Sequence, residues 1–266
     1  MRSALVMGKA VRLSRITKSG RMLCIPADHS FTVGPIRGLE NPNELLRKVA
    51  SAGATCFLAH KGVLKSLESS EGLGLILHLS ASTSIGMSPN RKVIVSGVEE
   101  AIRIGADAVS VHVNIGCKEE PEMLQNLGEL ADKCDEFQLP LVAMMYARGE
   151  MIKEPVDPEV IAHVARIGSD AGADIVKTVY TGSYETFREV VRRCQAPVVL
   201  AGGPKVDSDK QLLDITYDAM RAGAMGVAFG RNVFQHSDPH LIVKMLARVV
   251  FEGLKPEESI EVANSS

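Results

Sequence analysis

The chain has 266 residues, a formal net charge of -2 and a hydrophobic fraction of 45%. This near-neutral, ordinary globular composition gives no electrostatic reason to expect nucleic acid or an anionic membrane as a partner. The five cysteines show no CxxC or metal-finger spacing and no apolar run is bilayer-sized, so we expect a cytoplasmic protein.

The first 27 residues contain six basic residues and no acidic residue. Such a start is compatible with an organelle transit peptide, but the segment lacks the serine enrichment typical of one. Its apolar spacing favours a short amphipathic helix, over about residues 1–20, that packs on the rest of the fold. The residues of that pattern are Leu5, Val6, Lys9, Val11, Leu13 and Ile16.

Four times along the chain, a glycine-containing helix end leads directly into a short apolar run. Glycine can adopt the left-handed conformation that ends a helix, so each joint predicts a helix followed by a buried strand. The joints are Ser51-Ala-Gly-Ala-Thr, Ile104-Gly-Ala-Asp, Asp170-Ala-Gly-Ala-Asp and Arg221-Ala-Gly-Ala-Met. Their repetition indicates βα units and a parallel sheet.

Eight nearly continuous apolar runs predict strands that are covered on both faces. They fall near residues 22–28, 54–60, 74–80, 106–114, 140–146, 173–179, 196–202 and 225–230. Asn41-Pro42, Asp157-Pro158 and Asp238-Pro239 carry the N-cap and first-turn proline that begin helices. This alternation favours an α/β fold, a closed (β/α)8 barrel. We expect one domain over residues 1–266 with the barrel at about 21–253, and an open doubly wound sheet is the alternative.

Functional side chains in such a barrel lie at the carboxyl ends of the strands. Lys177, in the sixth predicted strand, stands among apolar neighbours. We therefore expect burial to lower the pKa of its ammonium and to favour the neutral amine, which attacks carbonyl groups. The alternative is a lysine that pairs with a carboxylate at the rim.

Two more strand ends supply groups for proton transfer, Asp28 after the first strand and Tyr146 in the fifth. Imine formation needs an acid or base to remove water and to move the hydroxyl proton when the carbon–carbon bond changes. Taken alone, Asp28 reads as a turn residue and Tyr146 as a packed aromatic. Together with Lys177 they predict a Schiff-base site, with His29 and Arg148 beside them as candidate substrate-binding residues.

Gly202-Gly203 ends the seventh strand and Gly230-Arg231 ends the eighth, where barrels commonly bind phosphate. Gly202, Gly203 and Gly230 let backbone N–H groups approach an anion, and Arg231 adds a charged fork. Because these two strand ends are consecutive, they together predict a binding site for the phosphate group of a small-molecule substrate.

Histidines at four strand ends suggest an alternative chemistry. Several imidazoles at a barrel mouth can hold Zn2+ in a metal-dependent aldolase. No local spacing ties any two of them together, and each also reads as a hydrogen-bonded strand-end residue. We predict no metal and no other cofactor, with the metal site as an alternative. These residues are His29, His60, His78 and His112.

A series of short motifs runs along the chain. They include Ala27-Asp-His, Leu75-Ile-Leu-His-Leu-Ser, Ala143-Met-Met-Tyr-Ala-Arg-Gly, Gly172-Ala-Asp-Ile-Val-Lys-Thr, Ala201-Gly-Gly-Pro-Lys and Gly230-Arg-Asn-Val-Phe-Gln-His. Through them the chain resembles the DhnA-type class I aldolases, most closely the 2-amino-3,7-dideoxy-D-threo-hept-6-ulosonate synthases, from about Gly8 to Phe251. The resemblance implies that Lys177 forms the imine, with Asp28 and Tyr146 as the family's aspartate and tyrosine.

The resemblance also implies a substrate class. Synthases of this family join a phosphorylated keto-sugar fragment, or dihydroxyacetone phosphate in bacterial relatives, to L-aspartate 4-semialdehyde. Family members are usually homo-oligomers, and they usually have proline where this chain has Ala147. The implied function is an aldolase or transaldolase of this kind. A fructose 1,6-bisphosphate aldolase, a metal-dependent lyase and a sugar-phosphate-binding protein without turnover are the alternatives.

Overall fold

Eight parallel strands close into a barrel in the computed structural model, which describes residues 7–264. Two further short strands, β4 and β5, form a separate sheet. In chain order, the strands are β1 Met22–Pro26, β2 Cys56–Ala59, β3 Gly74–His78, β4 Ser80–Ala81, β5 Val93–Ile94, β6 Ala108–Ile115, β7 Leu141–Ala147, β8 Ile175–Thr178, β9 Val198–Ala201 and β10 Gly226–Ala228. Around the barrel, neighbours follow the order β1-β10-β9-β8-β7-β6-β3-β2.

Pairing of β1 on both sides closes the barrel. Met22 pairs with Gly226 of β10, and Cys24 pairs with Cys56 of β2. A Cβ atom at position 226 would lie 1.9 Å from the Met22 carbonyl oxygen, so only glycine permits this approach. The predicted closed barrel is confirmed, and the open-sheet alternative is wrong.

Each barrel strand is followed by at least one helix. The helices are α1 Met7–Ile16, α2 His29–Val33, α3 Pro42–Ser51, α4 Lys61–Lys65, α5 Val98–Arg103, α6 Glu120–Glu136, α7 Pro158–Asp170, α8 Tyr184–Arg193, α9 Asp209–Arg221, α10 Arg231–Phe234, α11 Pro239–Ala247 and α12 Pro256–Asn264. The predicted caps form, because Asn41, Asp157 and Asp238 each accept a first-turn N–H. None of the helices in residues 7–264 has the length and apolarity that crossing a membrane requires.

The predicted N-terminal helix is present as α1, which ends at Ile16. Ile16 is fully buried and packs with the apolar side chains inside the barrel. Lys9 fixes the helix to the barrel through an ion pair of 2.9 Å with Asp174. Leu5 and Val6, which also belonged to the predicted helix, lie outside the described residues.

Side chains of each barrel strand alternate between the interior and the surrounding helices. The interior holds a small apolar layer, separate from the larger core between strands and helices. Its barrel members are Met22, Cys24, Cys56, Leu58, Ile76, Ala108, Val142, Met144, Ile175, Val199 and Ala228. The inward-facing residues that come next, toward the carboxyl ends of the strands, form the floor of the site.

The β4–β5 sheet was not predicted. The apolar run 74–80 predicted a third strand through residue 80, but the barrel strand β3 ends at His78. Ser80 then pairs with Ile94, and Ala81 pairs with Val93, in an antiparallel arrangement outside the barrel. The β4–β5 sheet places the segment between its two strands, including Lys92, at the mouth of the barrel.

Candidate active site

A cavity of about 750 Å³ opens at the carboxyl ends of the barrel strands. All nine residues that the sequence analysis proposed as catalytic or substrate-binding line it. They are Asp28, His29, Tyr146, Arg148, Lys177, Gly202, Gly203, Gly230 and Arg231. The fold therefore brings the whole candidate set together, while the chemical role of each residue stays a prediction.

Lys177 enters this cavity from β8 with its side chain buried. The side chain is 7% exposed, and Nζ lies 4.0 Å from Sδ of Met144 on β7. Ile175 faces the barrel interior, so strand alternation directs Lys177 inward as well. Among the described residues, no carboxylate forms an ion pair with Lys177, and the rim pair considered above is not formed.

The net pKa shift of Lys177 differs from the expectation. Burial lowers the pKa of the ammonium, as predicted, but Tyr146 and Asp28 raise it and the net shift is upward. The predicted net lowering is therefore wrong in direction. Tyr146 and Asp28 thus favour the ammonium, so Lys177 must pass a proton to a base before Nζ attacks a carbonyl.

Asp28 follows β1 closely and faces two histidines. Its Oδ1 lies 3.4 Å from His29 Nδ1, and its Oδ2 lies 3.9 Å from His78 Nε2. Burial raises the pKa of Asp28, but His78, His29 and Lys177 outweigh it and hold this pKa well below its usual range. Burial also lowers the pKa of His29, and that of His78 to about 3, so both imidazoles are neutral at pH 7. Asp28 is thus an ionised carboxylate able to accept a proton.

Tyr146, near the end of β7, packs against His112, which hydrogen bonds in turn fix in place. Its ring packs against the His112 ring, with centroids 4.7 Å apart. Nε2 of His112 lies 2.8 Å from Oδ1 of Asn114, whose Nδ2 donates to the Asn90 carbonyl oxygen at 2.7 Å. Because Asn114 Oδ1 can only accept, His112 carries its proton on Nε2. Burial lowers the pKa of His112 well below its usual value, which leaves the imidazole neutral beside the phenol.

The strand-end histidines share this neutrality. His60 and His78 pack with ring centroids 5.0 Å apart, and Nδ1 of His78 lies 2.8 Å from Ser110 Oγ. Burial lowers the pKa of His60 as well. Across residues 7–264, no three or more His, Cys, Asp or Glu side chains are grouped so that they could hold a metal ion. The described residues therefore provide no ligand set for the metal-dependent alternative.

The glycine loops after β9 and β10 lie side by side and are tied together by Arg231. Its Nη2 donates to the Gly203 carbonyl oxygen at 2.8 Å, and its buried Nε has no partner among the described residues. Gly203 has φ of 60°, in the left-handed region that favours glycine. A Cβ atom at Gly230 would lie 2.4 Å from Cε1 of His29. The two loops therefore form one wall with exposed backbone and one guanidinium.

Lys92 lines the same cavity, and the sequence analysis missed it. It stands between the turn residues 88–90 and the apolar run 93–95, which is typical of a surface lysine at the start of a strand. The side chain is instead 6% exposed. Burial, together with the cation of Arg148, lowers the pKa of Lys92 to about 8, although Asp28 opposes the shift. Only the β4–β5 sheet, which has no strong sequence signal, could have indicated this position.

The chain is similar to a family of aldolases and to synthases of known name. Residues 22–236 match the family described as DeoC/LacD family aldolase. The chain is 44% identical, over 96% of both chains, to 2-amino-3,7-dideoxy-D-threo-hept-6-ulosonate synthase 1 of Archaeoglobus fulgidus. It is 40% identical to the 2-amino-4,5-dihydroxy-6-oxo-7-(phosphonooxy)heptanoate synthase of Streptomyces griseus, across 91% of this chain and 90% of that one.

Solved structures that are similar to this chain include aldolases, at lower sequence identity than the two synthases. A Schiff-base-forming fructose-1,6-bisphosphate aldolase is similar with a TM-score of 0.86 and 30% identity, over 91% of this chain and 100% of that one. An archaeal fructose-1,6-bisphosphate aldolase, with its catalytic lysine bound to the carbinolamine intermediate, has a TM-score of 0.85 and 30% identity, over 91% and 99% of the two chains. The family match spans β1 to β10 and includes every residue of the candidate set.

Proposed function

This chain belongs to the DeoC/LacD family of aldolases, and we propose that it is a Schiff-base enzyme that joins a phosphorylated ketose-derived donor to L-aspartate 4-semialdehyde. The donor is a compound such as dihydroxyacetone phosphate or a 5-ketofructose 1-phosphate. The observation that carries the proposal is the buried amine of Lys177, which shares one cavity with Asp28 and Tyr146. The substrate class is supported by the synthases, whose 44% and 40% identity exceeds the 30% of the fructose-bisphosphate aldolases.

The first half of the reaction activates the donor. Lys177 Nζ loses a proton, attacks the donor ketone carbon and gives a carbinolamine, which loses water to form an imine. Asp28 is the ionised group beside Lys177 and can accept the ammonium proton, whereas the phenol of Tyr146 can protonate the departing hydroxyl. The Tyr146 phenolate left by that step then accepts a proton, either from the neighbouring carbon or from the hydroxyl of a departing aldehyde fragment, which leaves the electron pair in an enamine and restores the phenol.

The second half forms the new bond. The enamine carbon attacks the aldehyde carbon of the acceptor, and the electron pair of the carbonyl bond moves to oxygen, which takes a proton. Tyr146, two residues along β7 from the register partner of Lys177, is the donor we assign to that oxygen. Water then hydrolyses the re-formed imine and releases the product and free Lys177. No step requires a cofactor.

Borohydride trapping tests the proposed imine. Sodium borohydride reduces an imine to a stable amine, so incubation with dihydroxyacetone phosphate should add the donor mass to the protein. Peptide mapping should assign this mass to the peptide that carries Lys177, and a buffer-only sample should show no gain. An adduct on another lysine, or no adduct with dihydroxyacetone phosphate or fructose 1,6-bisphosphate, would contradict the Schiff-base mechanism.

Arg231 is expected to hold the donor phosphate. Arg231→Ala removes a charge-assisted hydrogen bond to the anion and the tie to Gly203, so KM for the donor should rise by roughly 10- to 100-fold. Steady-state kinetics with varied donor measures this. Lys205→Ala is the matched control, since Lys205 is an exposed cation of the neighbouring loop after β9 and does not line the cavity. An unchanged KM in Arg231→Ala would contradict the phosphate assignment.

A fructose 1,6-bisphosphate aldolase is the second candidate, and the two similar solved structures named above favour it. It would use the same lysine, carboxylate and phenol. Assaying triose phosphates released from fructose 1,6-bisphosphate, with and without L-aspartate 4-semialdehyde, separates the two functions. Product formation that requires L-aspartate 4-semialdehyde supports the synthase. Cleavage of fructose 1,6-bisphosphate at the same rate with and without the semialdehyde supports the aldolase. Membership of an aldolase family sets aside the alternative of a binding protein without turnover.

A further inference from the structure

Lys92 is a buried cation in the catalytic cavity that no carboxylate of the described residues neutralises. Its ammonium donates to the Ser82 hydroxyl, which donates to the Pro89 carbonyl oxygen at 2.8 Å. An ammonium has three N–H donors, so two of them have no protein acceptor within residues 7–264. Burying a cation without a counterion is strongly unfavourable. Such an arrangement is expected where a ligand supplies the missing negative charge.

The surroundings of Lys92 are also cationic. Burial lowers the pKa of Lys92 to about 8, and repulsion by Arg148, the neighbouring charge at the mouth, contributes to the same shift. Within the described part of the chain, Asp28 is the one carboxylate whose attraction acts on Lys92, and it also acts on Lys177. At pH 7 Lys92 is therefore mainly an ammonium. The positive charge on this side of the cavity exceeds the negative charge available to balance it.

Barrel order places Lys92 across the cavity from the phosphate wall. The glycine loops follow β9 and β10, and Lys92 lies in the connection from β3 to β6. In a ring of eight strands, β9 is four places from β3 and β10 is four places from β6. Lys177 on β8 and Tyr146 on β7 stand between the two sides. A donor held by its phosphate on one side thus leaves the other side for the acceptor.

From this geometry we propose that Lys92 forms a second anion site, which binds the acidic group of the aldehyde acceptor and selects acidic aldehydes over neutral ones. The proposal rests on the proposed aldol function and extends it to the acceptor half of the site. The shared chemistry is one negatively charged group remote from the aldehyde, either the carboxylate of an amino-acid semialdehyde or the phosphate of an aldose phosphate. The aldehyde end faces Lys177, where the enamine forms.

A purely structural lysine would instead brace the segment between β4 and β5 through Ser82. Lys92→Gln separates the two roles, because a glutamine amide can still donate to the Ser82 hydroxyl but carries no charge. Lys92→Met, which removes the hydrogen bond as well, is the second variant. Lys61→Met is the matched control, since Lys61 is an exposed lysine that donates to the carbonyl oxygen of Val95, the residue after β5, at 2.9 Å and lies outside the cavity lining.

The experiment measures acceptor preference at saturating donor. The acceptors are L-aspartate 4-semialdehyde, D-glyceraldehyde 3-phosphate and neutral glycolaldehyde, and the readout is the ratio of kcat/KM for each acidic aldehyde to that for glycolaldehyde. In Lys92→Gln this ratio should fall by roughly 10- to 100-fold, mostly through KM, as expected for one lost charge-assisted hydrogen bond. A fall for the semialdehyde alone identifies a carboxylate, a fall for the phosphate alone identifies a phosphate, and a fall for both identifies a general anion site.

Two results overturn the assignment in different ways. An unchanged ratio in Lys92→Gln and Lys92→Met, with donor still trapped on Lys177, shows that Lys92 does not select the acceptor and leaves the aldol function standing. Equal loss with acidic and neutral acceptors, accompanied by a lower melting temperature, assigns Lys92 a structural role. Failure of the unmodified protein to trap any donor overturns the proposed function and, with it, the acceptor site. Lys61→Met should keep the ratio of the unmodified protein.

Discussion

Lys177→Ala is expected to lower kcat by on the order of 10⁵-fold, about 7 kcal/mol of transition-state stabilisation, while the barrel stays folded. The loss is this large because the amine forms the covalent intermediate, and no other described lysine replaces it at the centre of the cavity. Removing the side chain also removes a buried ammonium, so the folded state loses little stability. The measurement is kcat with donor and L-aspartate 4-semialdehyde, beside circular dichroism and thermal unfolding of the same sample.

Two further variants make the Lys177 result specific. Lys177→Met fills nearly the same space with an uncharged chain and should be equally inactive, which excludes a cavity effect. Lys153→Ala, at an exposed lysine between the cavity-lining residues Ile152 and Pro155, should keep full activity. Near-native turnover by either Lys177 variant would show that the imine mechanism is wrong. A folded, inactive Lys177→Met that no longer traps donor would support it.

Tyr146→Phe is expected to lower kcat by roughly 10²- to 10⁴-fold, the usual contribution of a positioned general acid or base. The substitution removes only the phenolic oxygen and keeps the ring that packs on His112. Lys177 remains, so borohydride should still trap donor, although more slowly if Tyr146 protonates the departing hydroxyl. Comparing the trapping rate with kcat therefore indicates which proton transfer has been lost.

Tyr180→Phe is the control for this experiment. Tyr180 follows β8 closely in sequence, but its hydroxyl donates to Asp218 at 3.0 Å and it does not line the cavity. Its loss should affect stability by about 1 kcal/mol and leave kcat unchanged. If Tyr146→Phe stayed within about threefold of the native kcat while Tyr180→Phe behaved as expected, another group must carry the proton and Asp28 becomes the first candidate.

Much of the barrel could be predicted because its signals are local. Apolar runs such as 173–179 mark strands covered on both faces, and they contain the observed β8. The Asn41 and Asp157 caps depend on hydrogen bonds within three residues, so they can be identified without knowing the fold. The β4–β5 sheet was not predictable in this way, since each strand has two residues and their pairing joins distant positions.

The candidate catalytic set was predictable through one general rule. Barrel side chains that follow apolar strands converge at the carboxyl face, so Asp28, Tyr146 and Lys177 could be chosen before their distances were known. The charge states of these residues could not be predicted, because each depends on groups from other strands. The net pKa of Lys177 rises through Tyr146 and Asp28, which are 31 and 149 residues away in sequence.

By itself, then, the sequence determined the strand and helix pattern, the family and the identity of the residues at the carboxyl face. Only the tertiary structure decided between a closed and an open sheet. It also showed that the histidines among the described residues form no metal ligand set, and that Lys92 is buried at the cavity wall. The physical reason is the separation in sequence over which each effect acts. Hydrophobic periodicity and capping act over a few residues, whereas closure, desolvation and the balance of charges act between segments that only the fold brings together.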